Sequence, residues 1–148
     1  MLLAMDTSTR TIGVALYTGD KVLSEMIWES GEFHTVELAP TIAEMMTRVS
    51  VKPDDLKALA VATGPGSFTG LRIGLALAKG MALAGHYALV GIPTLDVLVA
   101  AQPPADLPLV AVLQVGRGRL AVGWYRYSAG RWRSDSQLKV MTASELVE

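Results

Sequence analysis

ATGPGSFTGLRIGLALAKGMALAGH, Ala62 to His86, starts like a phosphate-binding loop and continues like a helix. Gly66, Gly70 and Gly74 recur every fourth residue, and Ala78 and Ala82 keep the same step. Residues four apart share one helix face, so Gly70, Gly74, Ala78 and Ala82 make a flat strip over which another backbone can approach closely. That backbone belongs either to the protein's own sheet or to a partner. Leu71, Leu75, Met81 and Leu83 place bulk around the rest of the helix, which must then be covered on more than one side. Arg72, Lys79 and His86 interrupt the stretch too often for a membrane span. It is not a P-loop either, since GxxxxGK[ST] requires a lysine and Thr69-Gly70-Leu71 supplies none. What the start of the stretch offers an anion is helix N-terminal amides.

Working outward, strands flank this segment. LKALAVA before it and YALVGI after it read as buried strands, and TLDVLVAA as a short helix. Upstream, MLLAM is a short apolar strand. TIGVALYT and KVLSEMIWE are two more, joined through Gly19-Asp20 into a hairpin. FHTVELAPTIAEMMTRV carries Leu38, Ile42, Met45, Met46 and Val49 at helical spacing, with Pro40 in the first two turns, where a kink is cheapest. Strands and helices in this order imply an α/β layer fold with at least two parallel strands.

QPPADLP, with three prolines in seven residues, reads as a linker near 102–108. The sequence therefore divides into a first lobe over 1–104 and the start of a second over 105–148. LVAVLQV, RLAVGWYRY and WRSDSQLKV read as three strands of that second lobe. Thr142 and Glu145 stand at capping-box spacing just where the chain stops. The second lobe looks incomplete and the chain looks like a fragment. There is an internal echo. Shifted by 108 positions, LAMDTSTRTIGVALY lies over AVLQVGRGRLAVGWY, Val14 on Val122 and Tyr17 on Tyr125, with Asp6 facing Gln114.

Composition narrows the function classes. The chain has 148 residues, 51% of them hydrophobic and 18% charged, enough for a core. Net charge is −1 with no Lys/Arg block, which argues against autonomous nucleic-acid binding. Without cysteine there is no disulfide, Cys–zinc site or thiol nucleophile. The N-terminus has an acid at its sixth residue and no basic n-region, so it does not read as a signal peptide, and a soluble cytoplasmic protein is expected.

The side chains that could carry chemistry are few. Asp6, Thr7, Ser8 and Thr9 end the first strand, where a carboxylate and hydroxyls suit a phosphate or magnesium ion. They also suit a turn in which Asp6 and Ser8 cap backbone amides. Gly64 to Ser67 forms a second anion-type loop. His34 lacks a second His four residues on, since that position is Leu38, and His86 stands at a helix end. Structural or capping roles are expected for both. Ser67 is not in a G-x-S-x-G elbow. Trp28, Trp124 and Trp132 read as core or edge-strand residues.

LAMDTSTRTIGVALY, FHTVELAPTI, ATGPGSFTGLRIGLALAKGMAL and GIPTL together resemble the bacterial TsaB (YeaZ) family of tRNA threonylcarbamoyladenosine biosynthesis proteins. These are paralogues of the glycoprotease-like TsaD proteins. The likeness covers most of residues 1–100, and GPGSFTGLRIG is its most specific part. It implies an actin-like ATPase (ribonuclease H-like) fold, a mixed sheet flanked by helices with a truncated second lobe of the same type. It implies a non-catalytic subunit that assists TsaD, with the ATPase TsaE joining the complex. TsaD attaches a threonylcarbamoyl group to the adenosine next to the anticodon, so tRNA is reached only indirectly.

The resemblance also implies a homodimer when the chain is alone, and an interface on Gly66, Ser67, Gly70, Leu71, Gly74, Leu75, Ala78 and Ala82. TsaD-type relatives carry a His-x-x-x-His metal pair after the strand that follows this helix. Thr94 and Leu98 stand there instead, and neither a hydroxyl nor an isobutyl group replaces imidazole as an iron or zinc ligand. No cofactor is then required by this chain, and ATP or ADP belongs at an interface with partner subunits. In the second lobe an acid is common where Gln114 stands.

A rival reading keeps both anion-type loops in use. Asp6 to Thr9 and Gly64 to Ser67, facing one cleft, would serve a small actin-like ATPase or kinase, with Asp6, Thr7, Ser8, Thr9, Gly64 and Gly66 around the phosphates. A peptidase, a third reading, finds no nucleophile–base pair or metal site in the sequence.

Overall fold

A computed structural model describes residues 1–31 and 34–147, with the side chains of His34 and Thr35 outside the described part. The expectation for His34 therefore lies outside the described residues. Two compact units emerge, residues 1–63 with 67–92, and residues 64–66 with 93–148.

The first unit runs β1 (Leu2–Asp6), β2 (Thr11–Tyr17), β3 (Val22–Glu29), α1 (His34–Arg48), a 3₁₀ turn (Pro53–Asp55), β4 (Ala58–Ala62), α2 (Phe68–Gly85) and β5 (Ala88–Ile92). Its five-stranded sheet has the order β3-β2-β1-β4-β5. β1 pairs antiparallel with β2, and β2 with β3, while β1–β4 and β4–β5 are parallel. The sheet is mixed, as the strand and helix order requires. Alternation then sorts the side chains. Leu3 and Met5 of β1, Ile12, Val14 and Leu16 of β2, and Leu59 and Val61 of β4 lie on one buried face. Leu38, Ile42, Met45 and Met46 of α1 and Ala78 of α2 complete that core. Pro40 lies inside α1. The α2 helix stops at His86, whose left-handed φ of 53° and N–H to the Ala82 carbonyl make it the C-cap, the capping role expected of it.

YALVGI departs from expectation. It forms β5, yet Leu89 and Val90 are 37% and 46% exposed rather than buried. An apolar run reads alike in a central and an edge strand, and β5 lies at the sheet's edge, with one neighbour among the described residues.

The second unit holds α3 (Thr94–Ala100), β6 (Leu109–Gln114), β7 (Arg119–Ser128), β8 (Arg131–Ser134), β9 (Lys139–Thr142) and α4 (Ala143–Val147). The Pro-rich stretch lies between α3 and β6, and Leu95 and Val99 of α3 pack on Ala111 of β6 and Tyr125 of β7. WRSDSQLKV is not one strand but parts of two. Both β8 and β9 pair antiparallel with β7, β8 along Tyr125–Ser128 and β9 along Arg119–Val122. The polar Asp135 to Gln137 turn breaks the run, and the long β7 offers room for two short partners on one edge. The capping box forms, with the Thr142 N–H donating to Glu145 Oε2 at 2.7 Å and the Glu145 N–H to Thr142 Oγ1 at 3.4 Å. That backbone donor holds the Glu145 carboxyl below its usual range.

The echo between halves is real as architecture and shifted in detail. β6–β7 is an antiparallel hairpin like β1–β2. Asp6 pairs with Gly13, however, whereas Gln114 pairs with Leu120, so the second hairpin is one residue tighter. Val14 thus corresponds to Ala121 rather than Val122, and Tyr17 to Trp124 rather than Tyr125. Sequence alignment without a gap cannot register that lost turn residue.

Candidate functional site around helix α2

The small-residue strip of α2 is a seat for the chain's own first turn. The Thr7 hydroxyl, fully buried, donates to the Gly70 carbonyl at 2.7 Å. A Cβ on Gly70 would overlap the Thr7 backbone oxygen, and one on Gly74 would overlap Thr7 Oγ1. Ala78, next on the strip, is also fully buried, in the core beneath the sheet. The expected partner face is corrected at these residues. Gly70, Gly74 and Ala78 face inward, because only residues with little or no side chain let this helix lie against the end of β1. Leu75 and Ala82 are half-buried against the same core, and Leu71 is half-buried.

The hydroxyls and carboxylate of the first loop hold its own backbone. Asp6 Oδ1 accepts from the Ser8 N–H at 2.8 Å. Thr9 Oγ1 donates to the Thr11 carbonyl and accepts from the Thr11 N–H. The Ser67 N–H donates to the Ser8 carbonyl at 2.6 Å, and Ser67 Oγ caps α2 by accepting from the Gly70 N–H at 3.2 Å. Ser8 Oγ, buried, makes no hydrogen bond among the described residues. Asp6 thus caps a backbone amide, as the turn reading expected, whereas Ser8, the other residue of that reading, does not cap through its hydroxyl. Gly64 and Gly66, in the other expected loop, are half-exposed members of the second unit.

The opposite side of α2 is open. Phe68 is 74% exposed and Leu83 80%, with Arg72, Ala76, Lys79 and Gly80 between them. Arg72 lies over the Phe68 ring, 5.2 Å from its centroid. A groove of about 590 Å³ runs between the two helices, lined by Leu38 and Ala39 of α1 and by Thr69, Arg72, Ile73, Ala76 and Leu77 of α2. Of the two coverings the sequence left open for the strip, the protein's own first turn takes Gly70 and Gly74, and its own core takes Ala78.

In the second unit Thr94 is buried, and its N–H donates to the Gly64 carbonyl at 2.8 Å. Leu98, one turn on, is 40% exposed. Between them Asp96 accepts from the Tyr125 hydroxyl at 2.7 Å. Burial, aided by that bond and the carboxylate's charge, pushes the Tyr125 phenol well above its ordinary range. Nothing in the spacing of Asp96 and Tyr125 could have revealed the pair, which tertiary packing alone brings together. Trp28, on the edge strand β3, donates to Glu37 Oε2 at 3.1 Å, and Trp132 packs edge-on against Tyr127. Gln114 closes β6 opposite Leu120. Among the described residues no helix is long and apolar enough to cross a membrane.

Comparison with known proteins places this geometry. A family model described as "TsaD: tRNA N6-adenosine threonylcarbamoyltransferase" matches residues 22–141. The tRNA threonylcarbamoyladenosine biosynthesis protein TsaB of Bacillus subtilis (strain 168) is 34% identical over 129 residues, 87% of this chain and 56% of that protein. Its namesake in Escherichia coli (strain K12) is 37% identical over 94 residues, 64% of this chain and 40% of the relative. This chain thus spans about half the length of the curated relatives it matches. Among solved structures, YeaZ from Pseudomonas aeruginosa superposes with a TM-score of 0.85 at 26% identity, over 95% of this chain and 66% of that one. The fold is the actin-like, ribonuclease H-like α/β fold that the sequence resemblance implied.

Proposed function

Because the chain belongs to the TsaD family of tRNA N6-adenosine threonylcarbamoyltransferases, we propose that it serves tRNA threonylcarbamoyladenosine biosynthesis as a TsaB-type partner protein. In this reading it holds a TsaD-type subunit and leaves the transfer chemistry to it. The observation that carries the reading is the pair Thr94 and Leu98, at the positions where the resemblance expects two imidazole ligands. Thr94 is a buried hydroxyl anchored through its backbone, and Leu98 is apolar. Neither fits iron or zinc.

The partner surface in this proposal is the outer face of α2 rather than its glycine strip. Phe68 and Arg72, stacked and exposed, are the residue types that dominate interface energetics, and the groove beside them accepts apolar side chains. A second copy of the chain would use the same face when no TsaD subunit is present, in a twofold arrangement. TsaE, ATP or ADP would enter at contacts with partner subunits, in the cytoplasm. The rival ATPase reading is less favoured, because Asp6, Thr7, Thr9 and Ser67 are already engaged with backbone groups.

Co-purification with tagged TsaD from the same organism tests the role. The wild-type chain should capture TsaD. Ala76→Arg, which places a long cation in the open groove without touching the core, should reduce capture at least about tenfold, roughly the effect of removing one hot-spot side chain. Capture unchanged by Ala76→Arg, or ATP turnover abolished by Asp6→Ala, would overturn the reading.

A further inference from the structure

The basic residues are unevenly placed. From Arg117 to Lys139 stand six of them and one acid, Asp135, in a chain whose net charge is −1. Strand register gathers most of these onto one surface. Arg126 pairs directly with Arg133, Ser128 with Arg131, and Val122 with Lys139. Directly paired residues project to the same side of a sheet, as do alternate residues along a strand. Trp124, Arg126, Arg131, Arg133 and Lys139 therefore share one face, which also carries the fully buried Val122. Leu109, Ala111, Leu113, Tyr125 and Trp132 share the other, packed with Leu95 and Val99 of α3.

That basic face has no evident structural purpose. Two guanidinium groups set opposite each other across a strand pair repel, and repulsion of this kind destabilises a sheet. Asp135 answers only one of them, accepting from Arg126 Nε at 2.8 Å. Arg131 and Arg133, both exposed, make no ion pair among the described residues. Lys139 Nζ stands 5.6 Å from the centroid of the half-buried Trp124 ring. Such a face would suit a ligand that brings its own repeated negative charge.

We propose that this face of the second unit binds RNA, with Arg126, Arg131 and Arg133 contacting phosphates and Trp124 offering the flat apolar surface beside them. Arginine forks match phosphate oxygens in a way that lysine does not. Arg131 and Arg133 are separated by about 7 Å along their strand, on the scale of successive phosphates in an extended strand. An aromatic surface next to a cationic row is how sheets hold unpaired nucleotides without reading sequence. The inference rests on the proposed role only in choosing tRNA as the RNA, and it replaces the expectation that tRNA is reached only indirectly.

The test uses the whole chain and a fluorescein-labelled single-stranded RNA carrying an anticodon-loop sequence, with anisotropy followed from about 50 to about 200 mM salt. The wild type should bind, more weakly as salt rises. Arg131→Gln with Arg133→Gln should lower the salt slope by roughly 0.7 for each phosphate no longer neutralised. Charge reversal of the same two residues to Glu should weaken binding about tenfold or more, with an unchanged circular dichroism spectrum. Asp135→Asn, which frees Arg126, should tighten it.

No binding by the wild type at the lowest salt, or equal binding by the reversal variant, overturns the proposal. So does preferential binding to phosphatidylserine vesicles, which would make the face a membrane contact. Capture of TsaD by the reversal variant separates the two readings. Arginine-dependent RNA binding in a chain that captures no TsaD would keep this proposal and discard the partner role.

Discussion

The β1–β2 and β6–β7 hairpins follow one plan and end in opposite ways. After β1 the chain turns inward. Thr7 and Ser8 are buried, and α2 lies close over Thr7 because Gly70 and Gly74 have no side chain. After β6 it loops outward through Gly116, Arg117 and Gly118, all with positive φ, and α3 is packed on the sheet's odd-numbered face. A strand–turn–strand unit is thus neutral as to role. In the first unit it becomes the floor for a long helix. In the second, it leaves the Arg126, Arg131 and Arg133 end of a sheet face exposed to display charge.

The strongest way to break this contrast is at the seat. A methyl group on Gly70 would meet a backbone oxygen that no rotamer change can move, so Gly70→Ala should destabilise by about 3 kcal/mol, the upper end of overpacking. For a chain this long the melting temperature should fall by roughly 6–12 °C. Gly80→Ala on the same helix points into open space and should stabilise by about 0.5–1 kcal/mol. If the two variants melt alike, the inward strip is misassigned.

A smaller effect sharpens the view of the second unit. Tyr125→Phe removes the bond to Asp96 and should destabilise by about 1 kcal/mol near neutral pH. The folded phenol resists ionisation, so its pKa in the folded chain lies above that in the unfolded one. The stability it contributes is complete below about pH 10 and is lost as pH rises beyond it, because the unfolded state then gives up its proton first. Urea titrations at neutral and alkaline pH should show the gap between wild type and Tyr125→Phe closing in the alkaline range. A constant gap would mean that the phenol is not protected.

The smallest expected change is at Asp135. Its bond to Arg126 is exposed, and solvent screens the pair. Asp135→Asn should leave the melting temperature almost unchanged. A large drop would show that Asp135 is structural and not merely a brake on the basic face.

Periodicity alone determined much of this protein. Spacing of four along Gly70, Gly74 and Ala78, alternation along β1 and β2, and the Thr142–Glu145 cap are local properties. A local pattern fixes which residues share a face and where an element starts. It does not say what covers that face. The same glycine strip suits a partner helix or an inner turn, and only packing showed Thr7 lying on it. The same apolar run suits a central strand or the exposed edge that β5 became. Arg126, Arg131 and Arg133 stand as single residues, none adjacent to another, so no basic block is visible in the sequence. Cross-strand register brings Arg126, Arg131 and Arg133 together, since register is a relation between distant segments and no segment encodes it by itself.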